Sequence, residues 1–365
     1  MSFKRLDPED FILSADSITA PLWTNNSPTL RLFFTSSTQE AAISGDYYLS
    51  VYQTSSALSG SEVQFDIAYA NKMGSGSEYF NSTVTGVSPT KTIYGQYRSL
   101  VLGDENSDFI FGGVSQSDFY VMSISRNRYK ETLLPGSLLL RLSGSVAQIL
   151  LTDDSQYVTS TTFKDSGRVY NLISASAAGV KATNVGTAYG TTTDGYSLAS
   201  GSFGWFLPDI GTILLNAQAL SGSAVGGGIG LHVSRSNNSD GLNNRRLFMA
   251  VSGSSQHPAT CSLNSQETIT SDYVFVRARN AEFNYSENPS FISGSTGAVL
   301  YDDFINNPQT YFTTVGMYND NNELLAVAKL SKPLIKDFTK EALIRVKLDF
   351  WSVYIFNEWA YTNNY

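Results

Sequence analysis

The residues in this chain that could do chemistry are few, and their spacing completes no catalytic set. There are two histidines, His232 and His257, and one cysteine, Cys261. His257-Pro-Ala-Thr-Cys261 sets an imidazole and a thiol four positions apart, the beginning of a zinc set, but nothing nearby completes the three or four ligands zinc requires. A loop histidine and a buried cysteine are the expectation. Gly226-Gly-Gly-Ile-Gly230 lacks the Lys-Ser/Thr that follows a phosphate-binding loop and the spacing of a dinucleotide fingerprint. No Gly-x-Ser-x-Gly elbow occurs. Carboxylates are paired at Asp104-Glu105, Asp153-Asp154 and Asp302-Asp303. Glycoside hydrolysis needs two carboxyls facing each other across a sugar, usually from different strands. These adjacent pairs sit in turn-like contexts, where Asp bonds its own backbone. Asn319-Asp-Asn-Asn-Glu323 has the look of a calcium loop without its glycine or its distant bidentate Glu, and is better read as a hairpin turn.

Composition narrows the classes further. The chain has 365 residues, enough for two or three domains each with its own core. Charged residues are 15%, against roughly a quarter in typical soluble proteins. Aromatics reach 13%, with 21 Tyr and 21 Phe, residues that favour strands and interfaces. A net charge of −8 disfavours direct binding to phosphate backbones, so no nucleic-acid partner is expected. The basic stretch Ser125-Arg-Asn-Arg128-Tyr-Lys130 is too small a footprint to change this, and reads as solvated loop charge. A single cysteine allows no disulfide within the chain. The opening residues lack the apolar core of a signal peptide, and no run approaches a membrane helix, so cytosolic synthesis without membrane insertion is expected. The sequons at Asn81 and Asn237 then carry no meaning.

The elements that would position these residues are strands. Signals recur every 10–20 residues at Leu30–Thr35, Tyr47–Tyr52, Val63–Tyr69, Arg98–Leu102, Phe109–Phe111, Phe119–Ser125 and Leu138–Leu142, with Gly, Ser, Asn, Asp and Pro between them. Phe203–Leu220 reads as strand, turn, strand. Tyr311–Tyr318 and Glu323–Leu330 flank Asn319–Asn322 as a hairpin. Along Ala342–Phe350, Ile344, Val346, Leu348 and Phe350 share one face, and Leu343, Arg345, Lys347 and Asp349 the other. Helix candidates are confined to Ser37–Ile43 and Asp337–Leu343. The expected fold is therefore mainly β, in several antiparallel sandwich-like or barrel-like domains with extended termini and long loops. The expected divisions are an N-terminal arm (1–25), a β domain (26–152), a Gly/Ser/Ala-rich β middle (153–265), a C-terminal β domain with the hairpin (266–350) and an aromatic tail (351–365).

Both ends point to docking. The arm carries Phe11-Ile-Leu13 between Pro8 and Pro21, and lies either on a neighbouring subunit or along the edge of its own domain. The tail runs Trp351-Ser-Val-Tyr-Ile-Phe-Asn-Glu-Trp359-Ala-Tyr-Thr-Asn-Asn-Tyr365, and exposed apolar patches usually mark partner surfaces. The expected interface anchors are Phe11, Leu13, Trp351, Tyr354, Phe356, Trp359 and Tyr361. No catalytic, cofactor-binding or metal-binding residue is expected.

Three stretches carry a family resemblance. They are Phe3-Lys-Arg-Leu-Asp-Pro-Glu-Asp-Phe-Ile-Leu13, the segment Tyr120–Leu142 with Arg126-Asn-Arg-Tyr-Lys-Glu131, and above all Ala281–Phe350. The last contains Asn288-Pro-Ser-Phe291, Asn307-Pro-Gln-Thr-Tyr-Phe-Thr-Thr-Val-Gly-Met-Tyr-Asn-Asp320 and Glu323-Leu-Leu-Ala-Val-Ala-Lys-Leu-Ser-Lys-Pro333. Together they resemble uncharacterised virion structural proteins of T4-like tailed phages, particularly those of marine bacteria and cyanobacteria. Thr314-Val-Gly-Met-Tyr318 followed by Leu325-Ala-Val-Ala328 is also similar to attachment domains of phage tail fibres. The resemblance implies a non-enzymatic tail or baseplate subunit, present in multiple copies among other virion proteins, without cofactors. Two other readings stay open. One is a receptor-binding, adhesin or fibre-attachment module using the 174–202 and 221–244 loops. The other is a carbohydrate-active enzyme using two distant carboxylates, Asp302 and Asp303 among them.

Overall fold

A computed structural model describes residues 6, 8–22, 30–32, 48–53, 63–76, 89–176, 180–181, 192–235, 242–252 and 261–351. The protein is mainly β, as the strand periodicities predict, and its largest sheet is an antiparallel half-barrel. The chain divides into two compact units, Ile18–Glu267 and a second made of Met1–Ser17 with Thr268–Tyr365.

In the larger unit, the described residues build an eleven-stranded sheet. Its order is β15 (Cys261–Ser262), β9 (Leu139–Ser143), β10 (Gln148–Asp153), β12 (Gly167–Ser174), β13 (Gly204–Leu207), β14 (Thr212–Asn216), β7 (Asp118–Ile124), β4 (Val63–Asn71), β3 (Tyr48–Gln53) and β2 (Leu30–Leu32), with β11 (Thr162–Lys164) folded back on β12. Because side chains alternate across a strand, each central strand feeds two cores. Phe65, Ile67 and Tyr69 of β4, Tyr120, Met122 and Ile124 of β7, and Ile213 and Leu215 of β14 share one core. Ala70, Phe119, Val121, Leu214, Trp205 and Leu207 share the other. The first face is covered by α2 (Ala217–Ser221) and by α3 (Asn243–Ser252), which buries Leu247, Phe248, Ala250 and Val251. The second is covered by α1 (Thr90–Leu102) and the hairpin β5 (Phe109–Phe111) and β6 (Val114–Gln116). Burial on both sides explains why Thr212–Asn216 is buried at every position instead of alternating.

In the smaller unit, β16 (Asn264–Ala278) pairs with β19 (Ala342–Trp351), from Ile269 opposite Trp351 to Ala278 opposite Ala342. The other side of β16 carries β1 (Phe11–Pro21). The first residues of β16 belong to the larger unit, where Ser265 and Gln266 pair with β8 (Thr132–Leu133). Val274, Ile344 and Val346 form the local core with Val276, Leu348, Phe312, Val315, Met317, Ala328 and Leu330. The last five lie on the hairpin of β17 (Gln309–Tyr318) and β18 (Leu324–Asp337), and Leu348 is on β19. A short helix, α4 (Asp303–Asn306), precedes the hairpin. Lys336 is fully buried, and its ammonium donates to the carbonyls of Asn280 (2.9 Å) and Asp337 (2.8 Å) and to Asn284 Oδ1 (3.0 Å). Three acceptors for three protons make that burial tolerable and tie the 280–284 loop to the hairpin.

Several expectations need correction. Arg98–Leu102 is not a strand but the last turns of α1. Its Thr90, Ile93, Tyr94 and Val101 are buried at helical spacing, between Pro89 at the start and left-handed Gly103 at the end. Asp337–Leu343 is not a helix either: Asp337 Oδ1 accepts from the Thr339 amide (2.9 Å) and hydroxyl (2.6 Å), turning the chain from β18 into β19. The Ser37–Ile43 candidate lies outside the described residues. The 152/153 division falls inside β10, and strands from 26–152 and 153–265 alternate in one sheet. The 265/266 division lies close to the observed break after Glu267.

Candidate functional site

Among the described residues, two surfaces combine functional side chains with access to solvent: a cleft in the larger unit, and β1, whose last residues from Ile18 also belong to that unit. The larger unit has an open cleft of about 380 Å³, lined by Lys72, Asp108, Gln116, Asp118, Gln218 and Arg235 together with Ser115, Ser117 and Ser200. Its floor is the start of β7. The Asp118 carboxylate is almost fully buried and accepts from the Tyr69 hydroxyl at 2.8 Å, while Arg235 Nη2 lies 3.0 Å from the same oxygen. Arg235 Nη2 also donates to Gln218 Oε1 (2.9 Å), and Lys72 Nζ lies 2.6 Å from Asp108 Oδ1. Gln116 Nε2 donates to the Ser200 carbonyl at 3.3 Å. Burial, and then the Asp118 charge, push the Tyr69 phenol well above its ordinary range, and burial does the same to Tyr120. Both phenols therefore stay protonated, and that of Tyr69 donates to Asp118. The cleft offers two internally neutralised ion pairs, amides and hydroxyls, an arrangement suited to holding a polar ligand by hydrogen bonds. Sequence reading missed it because its members come from the end of β4 and the residue after it, the approach to β5, β6, the start of β7 and the 199–235 segment; the signal available was a single charged residue, Asp118, opening a strand otherwise free of charge.

The second surface is β1. Ten of its eleven residues are exposed, with Phe11 at 52%, Ile12 at 53% and Leu13 at 72%. The arm is thus a regular strand on its own chain, the second of the two placements open from sequence. Ala20 O accepts from Ser265 Oγ and Leu22 N donates to Leu263 O, so β1 runs antiparallel to β16. Among the described residues no strand pairs with the far edge of β1. Of the expected anchors, Phe11 and Leu13 lie on this strand. Trp351 closes β19, and Tyr354, Phe356, Trp359 and Tyr361 lie outside the described residues.

Several of the residues singled out for chemistry have structural partners, while His232, Asp302 and Asp303 are exposed. Cys261 is fully buried on β15, and burial raises its thiol to about 12. His257 lies outside the described residues, and among those described no group of three His, Cys, Asp or Glu could hold a metal. The Gly226–Gly230 cluster packs backbone on backbone: Gly228 N donates to Ser223 O, and a Cβ at Gly228 would collide with the main chain of Gly222. Asp104 accepts from the Asn106 amide and the Ser107 hydroxyl, the turn role expected. Asn319 Oδ1 accepts from the amides of Asn321 and Glu323, and Asn322 takes a left-handed conformation, so this stretch is the hairpin turn. Arg126 donates to the Tyr129 carbonyl and lies over its ring, and Lys130 pairs with Glu267.

Asp153 and Asp154 are more than turn residues. Asp153 accepts from the amides of Gly136 (2.8 Å) and Ser155 (3.3 Å), and Asp154 from Asn171 N (2.9 Å) and Nδ2 (3.1 Å). Burial raises both carboxyls above 3.8, and their hydrogen bonds only partly oppose it. Between 3.8 and its raised native value, folded Asp153 binds more proton than unfolded Asp153. Its contribution to stability is therefore greatest at low pH and falls as pH rises through that window. Asp153→Asn is expected to flatten this part of the profile. Urea midpoints at half-unit steps from pH 3.5 to 7 would show it, and parallel wild-type and variant profiles would refute it. No protein-family model, curated protein or solved structure matches the chain.

Proposed function

We propose that this chain is a non-enzymatic structural subunit of a phage virion, placed in the tail baseplate, that assembles by docking its open strands on neighbouring virion proteins. The observation that carries the reading is β1, an eleven-residue edge strand exposed at ten positions. Such an edge is a template for pairing with another chain. Strand addition supplies backbone hydrogen bonds without specialised side chains. The resemblance of Phe3–Leu13, Tyr120–Leu142 and Ala281–Phe350 to virion proteins of T4-like phages supports the setting. Immunogold labelling of intact particles, with mass spectrometry of the same preparation, tests it. The expected result is the chain's peptides in purified particles and gold at the tail tip. Particles free of the chain would overturn the reading.

The polar cleft favours a second reading, a receptor-binding or fibre-attachment module. In that case gold would decorate fibres, and the isolated protein would bind host cells with a dependence on Arg235 and Lys72.

A further inference from the structure

Resting on the receptor-binding reading, we infer that the cleft at the start of β7 binds a neutral hexose unit of a glycan. Size sets the first limit. A volume of about 380 Å³ lies at the small end of the ~300–1,000 Å³ range of small-molecule sites. Charge sets the second. Lys72 and Arg235 are matched by Asp108 and Asp118 at 2.6 and 3.0 Å, so the four charges cancel in a chain of net charge −8. Nothing in this field concentrates an anion. An anion that took Arg235 over would strip Asp118, 2% exposed, of its ion-pair partner, a costly exchange for a buried carboxylate.

A neutral polyol requires no such exchange. Among the described residues, the bonds within the cleft leave both donors and acceptors to spare. Lys72 Nζ gives one of its protons to Asp108 Oδ1. Gln218 gives its oxygen to Arg235 and keeps its amide protons, while Gln116 gives Nε2 to the Ser200 carbonyl and keeps Oε1. The side chains of Ser115 and Ser117 add hydroxyls at exposed positions. A sugar hydroxyl both donates and accepts, so it can use this mixture, and its bonds to ionised groups are the stronger ones. The rest of the described lining, Val114 and Ala199, is small, apolar and exposed, a seat for the C–H face of a ring. Asp118 is held from two sides, by the Tyr69 hydroxyl and by Arg235, so the floor is set before a ligand arrives.

Saturation-transfer NMR on the full chain tests this. The probes are the methyl glycosides of glucose, galactose, mannose and N-acetylglucosamine, with glucuronic acid as the charged counterpart. At least one neutral sugar is expected to bind with a Kd on the order of 1 mM, as the few atoms of one ring allow. Added salt should leave that affinity unchanged, and glucuronic acid should bind no more tightly. Gln218→Ala, at an exposed side chain, should weaken binding about 10-fold, the loss of one hydrogen-bonding group. Ser117→Trp fills the cleft from an exposed position and should abolish binding with the urea midpoint unchanged. No binding of any neutral probe at ~20 mM would overturn the inference. So would tighter, salt-sensitive binding of glucuronic acid, or binding that survives both substitutions. Host-cell binding that depends on Arg235 and Lys72 without sugar binding would leave the receptor-binding reading standing and overturn the hexose assignment. Sugar binding by a chain that gold places at the tail tip would keep the assignment and set the receptor-binding reading aside.

Discussion

Gly204→Ala is expected to cost about 4 kcal/mol or more and to leave the larger unit largely unfolded under conditions where the wild type is native. Gly204 has φ +136°, a region of backbone space that is essentially glycine's alone. That conformation by itself carries a penalty of ~1–3 kcal/mol for any side chain. The neighbours make it worse. A Cβ here would fall inside the carbonyl oxygen of Leu214 and lie 3.0 Å from Leu215 Cα. These are main-chain atoms of β14, which pairs with β13 through Gly204–Leu215 and Trp205–Leu214. They cannot rotate away as a side chain could, so the ladder must open in the middle of the sheet, where Phe203, Phe206, Leu214 and Leu215 are fully buried. Gly113 is the control: its φ is also positive, at +89°, but a Cβ there meets nothing. Alanine at 113 should cost only the backbone term. Urea midpoints measured at unchanged m would separate the two, and a Gly204→Ala protein within 1 kcal/mol of wild type would show that the sheet accommodates the side chain.

The contrast between these glycines also shows what a sequence can tell. Period-two alternation is a local signal, so the strands at Val63–Tyr69, Phe109–Phe111, Phe119–Ser125 and Ala342–Phe350 were legible, as was the Asn319–Asn322 turn. Helix α1 was not. Its face is made of Ile93, Tyr94 and Val101, residue types that favour strands, and it is helical because packing against β4 and β5 overrides that preference. The Pro89 and Gly103 boundary residues were the available clue. Domain division failed for a different reason. The 26–152 and 153–265 segments differ in composition, but β12, β13 and β14 lie between β10 and β7, so one sheet draws on both. Such non-local pairing leaves no mark on composition. The cleft was illegible on the same ground: Tyr69, Asp118, Gln218 and Arg235 are distant in sequence and meet only through the β4–β7 register. Phe11 and Leu13, exposed on β1, draw attention in the sequence because an apolar pair in a stretch rich in polar residues stands out without any knowledge of pairing.

Phe109→Ala is the other large effect expected, about 3–5 kcal/mol, as for a fully buried aromatic truncated to a methyl. Phe109 is at the centre of an aromatic cluster. Its ring lies 4.5 Å from Phe119, 5.5 Å from Tyr94, 5.7 Å from Trp205 and 6.1 Å from Phe111, centroid to centroid. Those rings come from β7, α1, β13 and β5, so one side chain joins the sheet to the layer that covers it. The tilted and edge-on geometries add roughly 0.5–1.5 kcal/mol per pair beyond the area buried. Phe109→Leu restores most of the volume and none of the ring contacts. The difference between the two variants therefore divides the cost into cavity and ring terms, with ~1.5 kcal/mol or more expected for leucine. The cleft should respond as well. Asp108, the partner of Lys72, immediately precedes Phe109, and Gln116 of the cleft lining pairs with Phe109 across β5 and β6. Loosening this hairpin should speed hydrogen exchange at Ile110, Ser115 and Gln116 before the central strands β7 and β14 respond. Exchange that rises evenly over the whole sheet would instead show that the covering layer and the sheet open as one cooperative unit.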